Sequence, residues 1–124
     1  RVAVAAFDGD AAAIAALQAA QRQSQGLRPI AARVRDLFRE PLSRKELEDF
    51  DAVVLDPPRA GAKAQAEQLV RSKVGTVIAV SCSPATLARD VRILVDGGYR
   101  LESLTPVDQF LYSAHVEAVA VLRR

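Results

Sequence analysis

The chain has 124 residues, half of them hydrophobic and 26% charged, with a formal charge of +2, which suits one globular domain and excludes a disordered tail. No apolar run approaches the ~20 residues that a membrane span needs, and no signal peptide is visible. One cysteine and one histidine exclude an internal disulfide and a metal cage, which favours a reducing, cytoplasmic setting, while so small a positive charge permits nucleic-acid contact without arguing for it.

Val2-Ala3-Val4-Ala5-Ala6-Phe7 is an apolar run that stops at Asp8-Gly9-Asp10, predicting a strand and then a turn. A helix is expected from about Asp10 to Gln23, with Ala13, Ile14, Leu17 and Ala20 on one face and Gly26 ending it. Pro29–Val34 reads as an edge strand, and Pro41 to Phe50, polar apart from Leu42 and Leu47, as a short surface helix. Asp51–Leu55 is a buried strand that runs into Asp56-Pro57-Pro58-Arg59-Ala60-Gly61, a carboxylate followed by a rigid turn. A helix over about Ala62–Arg71 carries Ala66, Leu69 and Val70 inward. Val74–Val80 has the β-branched composition of a buried parallel strand, and the helix Ala85–Asp96 after it stops at Gly97-Gly98. Tyr99–Val107 alternates like a strand exposed on one face, and Val116–Leu122 is close enough to pair with it antiparallel.

Cys82 therefore stands where a strand ends and a helix begins. Pro84 suits the first helical turn, and Ser83 is the expected N-cap. A thiol there feels the positive end of the helix dipole, which favours thiolate. Ligands of open α/β sheets bind off the carboxyl ends of the strands, so the position suits chemistry as well as it suits a buried structural cysteine.

Three stretches stand out together: Asp56-Pro57-Pro58-Arg59-Ala60-Gly61, Ser81-Cys82-Ser83-Pro84-Ala85-Thr86-Leu87-Ala88-Arg89-Asp90, and Asp108-Gln109-Phe110-Leu111-Tyr112-Ser113-Ala114-His115-Val116-Glu117. In this order and at this spacing they resemble the C-terminal catalytic half of the RNA uracil-5-methyltransferase family, which uses S-adenosylmethionine. The resemblance implies an α/β fold, a Rossmann-like class I methyltransferase sheet that is mostly parallel with an antiparallel C-terminal strand. It makes residues 1–124 a partial catalytic domain. The family's first strand and its glycine-rich cofactor loop have no counterpart: there is no Gly-x-Gly, and the chain starts at Arg1 and contains no methionine. An excerpt of a longer protein is therefore expected, inactive alone. Its Val2–Phe7 and Asp51–Leu55 strands would either close up on each other or be bridged by a second copy.

By the same resemblance Cys82 is the nucleophile that adds to carbon 6 of a uracil, making carbon 5 electron-rich enough to take a methyl group. Glu117 is the base that removes the carbon 5 proton. Asp8 is expected to hold the ribose diol of S-adenosylmethionine, unless it only caps the helix as Asp10 does. Asp36 would accept from the adenine amino group, or else merely start a turn. Asp56 would line both the cofactor and the uracil pockets. Arg59 and Arg89 are candidates for orienting carbonyl oxygens or a phosphate, with a surface ion pair as the alternative. Phe110 either stacks on a base or belongs to the core, and His115 positions its loop or assists proton transfer. The implied partner is ribosomal or transfer RNA, whose target base must leave its stack. Ser83 and Leu111 depart from the family's usual Asn and Pro. Two other classes of function compete: a cysteine hydrolase pairing Cys82 with His115, and a non-catalytic α/β module that contacts RNA or protein.

Overall fold

The computed structural model describes residues 3–107 and 116–124. They form two units, Arg1–Glu40 and Pro41–Arg124.

The first unit is a strand–helix–strand: β1 (Val4–Asp8), α1 (Ala11–Gln23) and β2 (Ile30–Val34). β1 and β2 pair in parallel from Val4 opposite Ile30 to Asp8 opposite Val34. α1 starts where it does because Asp10, with extended backbone, accepts from the amides of Ala12 and Ala13 at 2.9 and 3.2 Å. Ile14 is the buried residue of this helix, whereas Ala13 and Ala20 of the expected inner face are exposed. Polar side chains do much of the holding. Gln18 donates to the Ala32 carbonyl at 3.1 Å. The Gln21 amide donates to the Ile30 carbonyl at 3.2 Å and accepts from the Ile30 amide. Two glutamines thus satisfy backbone groups that β2 does not share with β1.

The second unit contains α2 (Arg44–Leu47), β3 (Ala52–Leu55), α3 (Lys63–Val70), β4 (Thr76–Ser81), α4 (Pro84–Asp96), β5 (Arg100–Val107) and β6 (Glu117–Arg123). Its sheet runs β3-β4-β6-β5. β3 and β4 are parallel, and β6 is antiparallel to both β4 and β5. The mixed α/β sheet with an antiparallel final strand is as expected.

The core lies where α3 and α4 pack on this sheet: Leu69, Val74, Val77, Leu94, Tyr99, Ala120 and Leu122 are all essentially inaccessible. The expected surface helix over Pro41–Phe50 shrinks to four residues, capped reciprocally by Ser43 and Glu46. Leu42 and Leu47 at its two ends are buried rather than superficial. The buried Gln65 side chain holds this segment, accepting from the Leu42 amide at 2.8 Å and donating to its carbonyl at 3.0 Å.

A second polar anchor closes the far end of the sheet. The Tyr99 hydroxyl donates to the Val74 carbonyl at 2.6 Å, and the Arg124 guanidinium lies 4.1 Å over the Tyr99 ring. Arg124 also donates to the carbonyls of Leu69 at 3.0 Å, Val70 at 3.2 Å and Ser72. It thereby fills the role of a cation at the C-terminus of α3.

Candidate active site

The pairing of β4 with β6 is the first fact about the site. Residues opposite each other run from Thr76 and Arg123 to Ser81 and Ala118. β4 ends at Ser81, and Cys82 follows it in the short turn that leads to α4. Cys82, which follows Ser81, and Glu117, which precedes Ala118, therefore lie at the same end of the ladder. Side chains alternate between faces, and Val77, Ala79 and Ser81 are buried on the face that α4 covers.

Cys82 is a free thiol of intermediate exposure, followed directly by Ser83 at the N-cap position and Pro84 in the first turn of α4. Ser83 makes no side-chain cap bond. Instead Ser81 organises the turn: its hydroxyl donates to the Ser83 carbonyl and accepts from the Ser83 amide, both at 3.0 Å. Glu117, the first residue of β6, has a carboxylate oxygen, Oε2, that is buried without a hydrogen-bond partner among the described residues. Such atoms are rare in folded proteins and call for a functional account.

The Asp56–Gly61 turn follows β3, the parallel neighbour of β4, with Leu55 opposite Ala79. Asp56 is exposed at the strand's carboxyl end. Three residues of α4 grip the turn. The Thr86 hydroxyl lies 2.9 Å from the Arg59 carbonyl and 3.3 Å from the Ser83 carbonyl. Arg89 donates to the Ala60 carbonyl at 2.8 Å and pairs with Asp90 at 2.9 Å. The buried Asp90 carboxylate accepts from the Ala62 amide at 2.7 Å. Gly61, at φ +80°, lies so close that a Cβ there would stand 2.6 Å from Arg89 and 2.8 Å from Asp90. Arg89 thus holds a main-chain carbonyl and a buried carboxylate at once.

In the first unit, Asp8 and Asp36 stand at the carboxyl ends of β1 and β2. Each has one oxygen in a local turn. Asp8 Oδ1 accepts from the Asp10 amide at 2.7 Å. Asp36 Oδ1 accepts from the amides of Phe38 and Arg39 at 3.0 and 3.4 Å. The turn-forming alternative for Asp36 is therefore real, yet its side chain remains 53% exposed. It borders a hollow of about 540 Å³ that Phe7, Gly9, Arg33 and Arg39 help to line, a volume in the range of small-molecule sites.

Phe110, Leu111 and His115 lie outside the described residues. The grip of Thr86, Arg89 and Asp90 on the turn escaped the sequence reading. The available signal was Asp90 itself, a carboxylate in the apolar stripe Leu87, Asp90, Leu94 of an otherwise amphipathic helix.

The family model for tRNA (uracil-5-)-methyltransferases matches residues 1–124. A Brucella melitensis protein named as an uncharacterized RNA methyltransferase is 61% identical over 98% of this chain. A similarly named protein of Mesorhizobium japonicum is 59% identical over 96% of it. The chain spans 29% of the length of both relatives. Among solved structures, the Pyrococcus abyssi tRNA (uracil-54, C5)-methyltransferase in complex with S-adenosyl-L-homocysteine superposes with a TM-score of 0.82 at 35% identity, covering 97% of this chain and 28% of that one. With the whole sequence matched by the family model and the fold matched in space, the chain belongs to the tRNA (uracil-5-)-methyltransferase family.

Proposed function

We propose that this chain is part of the catalytic domain of an RNA methyltransferase that methylates carbon 5 of a uridine in ribosomal or transfer RNA through a covalent cysteine adduct. The observation that supports this reading is that Cys82 and Glu117 lie at the same end of the β4–β6 ladder, just beyond its last pair, Ser81 and Ala118. The Cys82 sulfur adds to carbon 6 of the flipped uracil, forming a C–S bond and moving the ring's π electrons toward carbon 5. S-adenosylmethionine, when bound, supplies the methyl group for that carbon. Glu117 then takes the proton from carbon 5, the ring double bond re-forms, and the electron pair of the C–S bond returns to sulfur. The buried Oε2 has no competing protein partner among the described residues, which suits an acceptor waiting for a substrate proton.

Asp8 and Asp36 are the residues that would hold the adenosine part of the cofactor. Their fit rests on two carboxylates at adjacent strand ends, one of them bordering a hollow of suitable size. Asp56, exposed at the end of β3, faces the same edge of its own sheet as Cys82 and would contact uracil or cofactor there.

The direct test uses the full-length protein and RNA carrying 5-fluorouridine, in which fluorine cannot leave as a proton does. A denaturation-stable protein–RNA adduct is expected, and Cys82→Ala should abolish it. An adduct that persists in the variant would overturn the assignment of the nucleophile.

A further inference from the structure

We infer that Thr86 is a positioning residue that locks the Asp56–Gly61 turn to the Cys82 turn, an inference that rests on the reading of Cys82 as the nucleophile. One atom makes the connection. The Thr86 Oγ1 lies within hydrogen-bond distance of the Arg59 carbonyl on one turn and of the Ser83 carbonyl, next to Cys82, on the other. A hydroxyl has a single proton to donate, so the two carbonyls share it and draw toward the same point. Arg89 and Asp90 support the contact from the next turn of α4 by holding the Ala60 carbonyl and the Ala62 amide. Gly61 packs directly against all three side chains, an added Cβ standing 2.6 Å from Arg89, 2.8 Å from Asp90 and 3.1 Å from Thr86.

The consequence is a fixed spacing between the sulfur at the end of β4 and the groups at the end of β3, Asp56 and Arg59. Nothing in this contact touches a reacting atom. Thr86 acts through the carbonyl of Arg59 and through Ser83, not on substrate. A displacement of the order of 1 Å between reacting groups can cost about 100-fold in rate, so the loss of a single hydroxyl is enough to register in turnover. The supports from Arg89 and Asp90 keep the turn folded when that hydroxyl is removed.

The test is steady-state kinetics on full-length enzyme bearing Thr86→Val, Thr86→Ala or Thr86→Ser, with thermal melting and the 5-fluorouridine adduct measured alongside. Thr86→Val keeps the shape and loses the donor, and Thr86→Ala serves if the valine does not fold. The expected result is a fall in kcat of about 10- to 100-fold, with the melting temperature and the KM for S-adenosylmethionine little changed. Thr86→Ser should restore most of the rate. Wild-type enzyme that forms no adduct would overturn both this inference and the reading beneath it. If wild-type enzyme forms the adduct, normal turnover in the donorless variants overturns the positioning role alone, and so does a loss that serine fails to restore.

Discussion

Asp8 and Gly61 show how differently two small residues can matter. Asp8 spends one oxygen on the Asp10 amide, so Asp8→Asn keeps that bond through its remaining carbonyl oxygen and replaces only the other acceptor. Hydrogen bonds to a charged group contribute about 1.5–3 kcal/mol; calorimetry on full-length Asp8→Asn should therefore show S-adenosylmethionine binding about 10- to 100-fold weaker. Unchanged affinity with an intact fold would remove Asp8 from the cofactor site. Gly61 acts on the fold. Its φ of +80° and the 2.6 Å that would separate an added Cβ from Arg89 combine two penalties. Gly61→Ala should cost about 1–3 kcal/mol of stability, read as a lower denaturant midpoint, and a neutral result would mean that the turn relaxes freely.

At the scale of elements, the ends of α3 and β4 depend on side chains far away in sequence. Arg124 donates to the carbonyls of Leu69, Val70 and Ser72 and covers the buried Tyr99 ring. Arg124→Ala strips a helix C-terminus of its charged donor, and a loss of about 1–3 kcal/mol is expected in chemical unfolding. Tyr99→Phe removes the hydroxyl that donates to the Val74 carbonyl at 2.6 Å and lies 3.4 Å from that of Leu69, and should cost about 1 kcal/mol. These anchors were not legible in the sequence, because neither the distance from Arg124 to Val70 nor the depth of Tyr99 leaves a local pattern. Strands were easier to read. Val74–Val80 and Val116–Leu122 announced themselves by β-branched composition, and each moved by only one or two residues. Within Pro41–Phe50 the short helix is present at Arg44–Leu47 with Arg44, Lys45 and Glu46 exposed, but the burial of Leu42 was not legible, because Gln65 on another helix holds its backbone.

Taken as a whole molecule, the chain has its candidate catalytic residues distributed over elements whose order in space differs from their order in sequence. The motifs themselves were legible: Cys82 after a strand and before a proline, Glu117 at the start of the last strand. Their meeting at one end of a ladder was not, because it depends on β6 inserting between β4 and β5 rather than adding at the edge. That insertion is the central structural claim for function, and Glu117→Gln tests it most directly. The amide keeps the size of the side chain and loses the base, so methyl transfer proceeds while release of Cys82 stalls. Full-length Glu117→Gln mixed with ordinary uridine-containing RNA and S-adenosylmethionine should accumulate a covalent protein–RNA complex whose uracil already carries the methyl group, detectable by mass spectrometry. Normal turnover with no accumulated complex would contradict the pairing of Cys82 with Glu117.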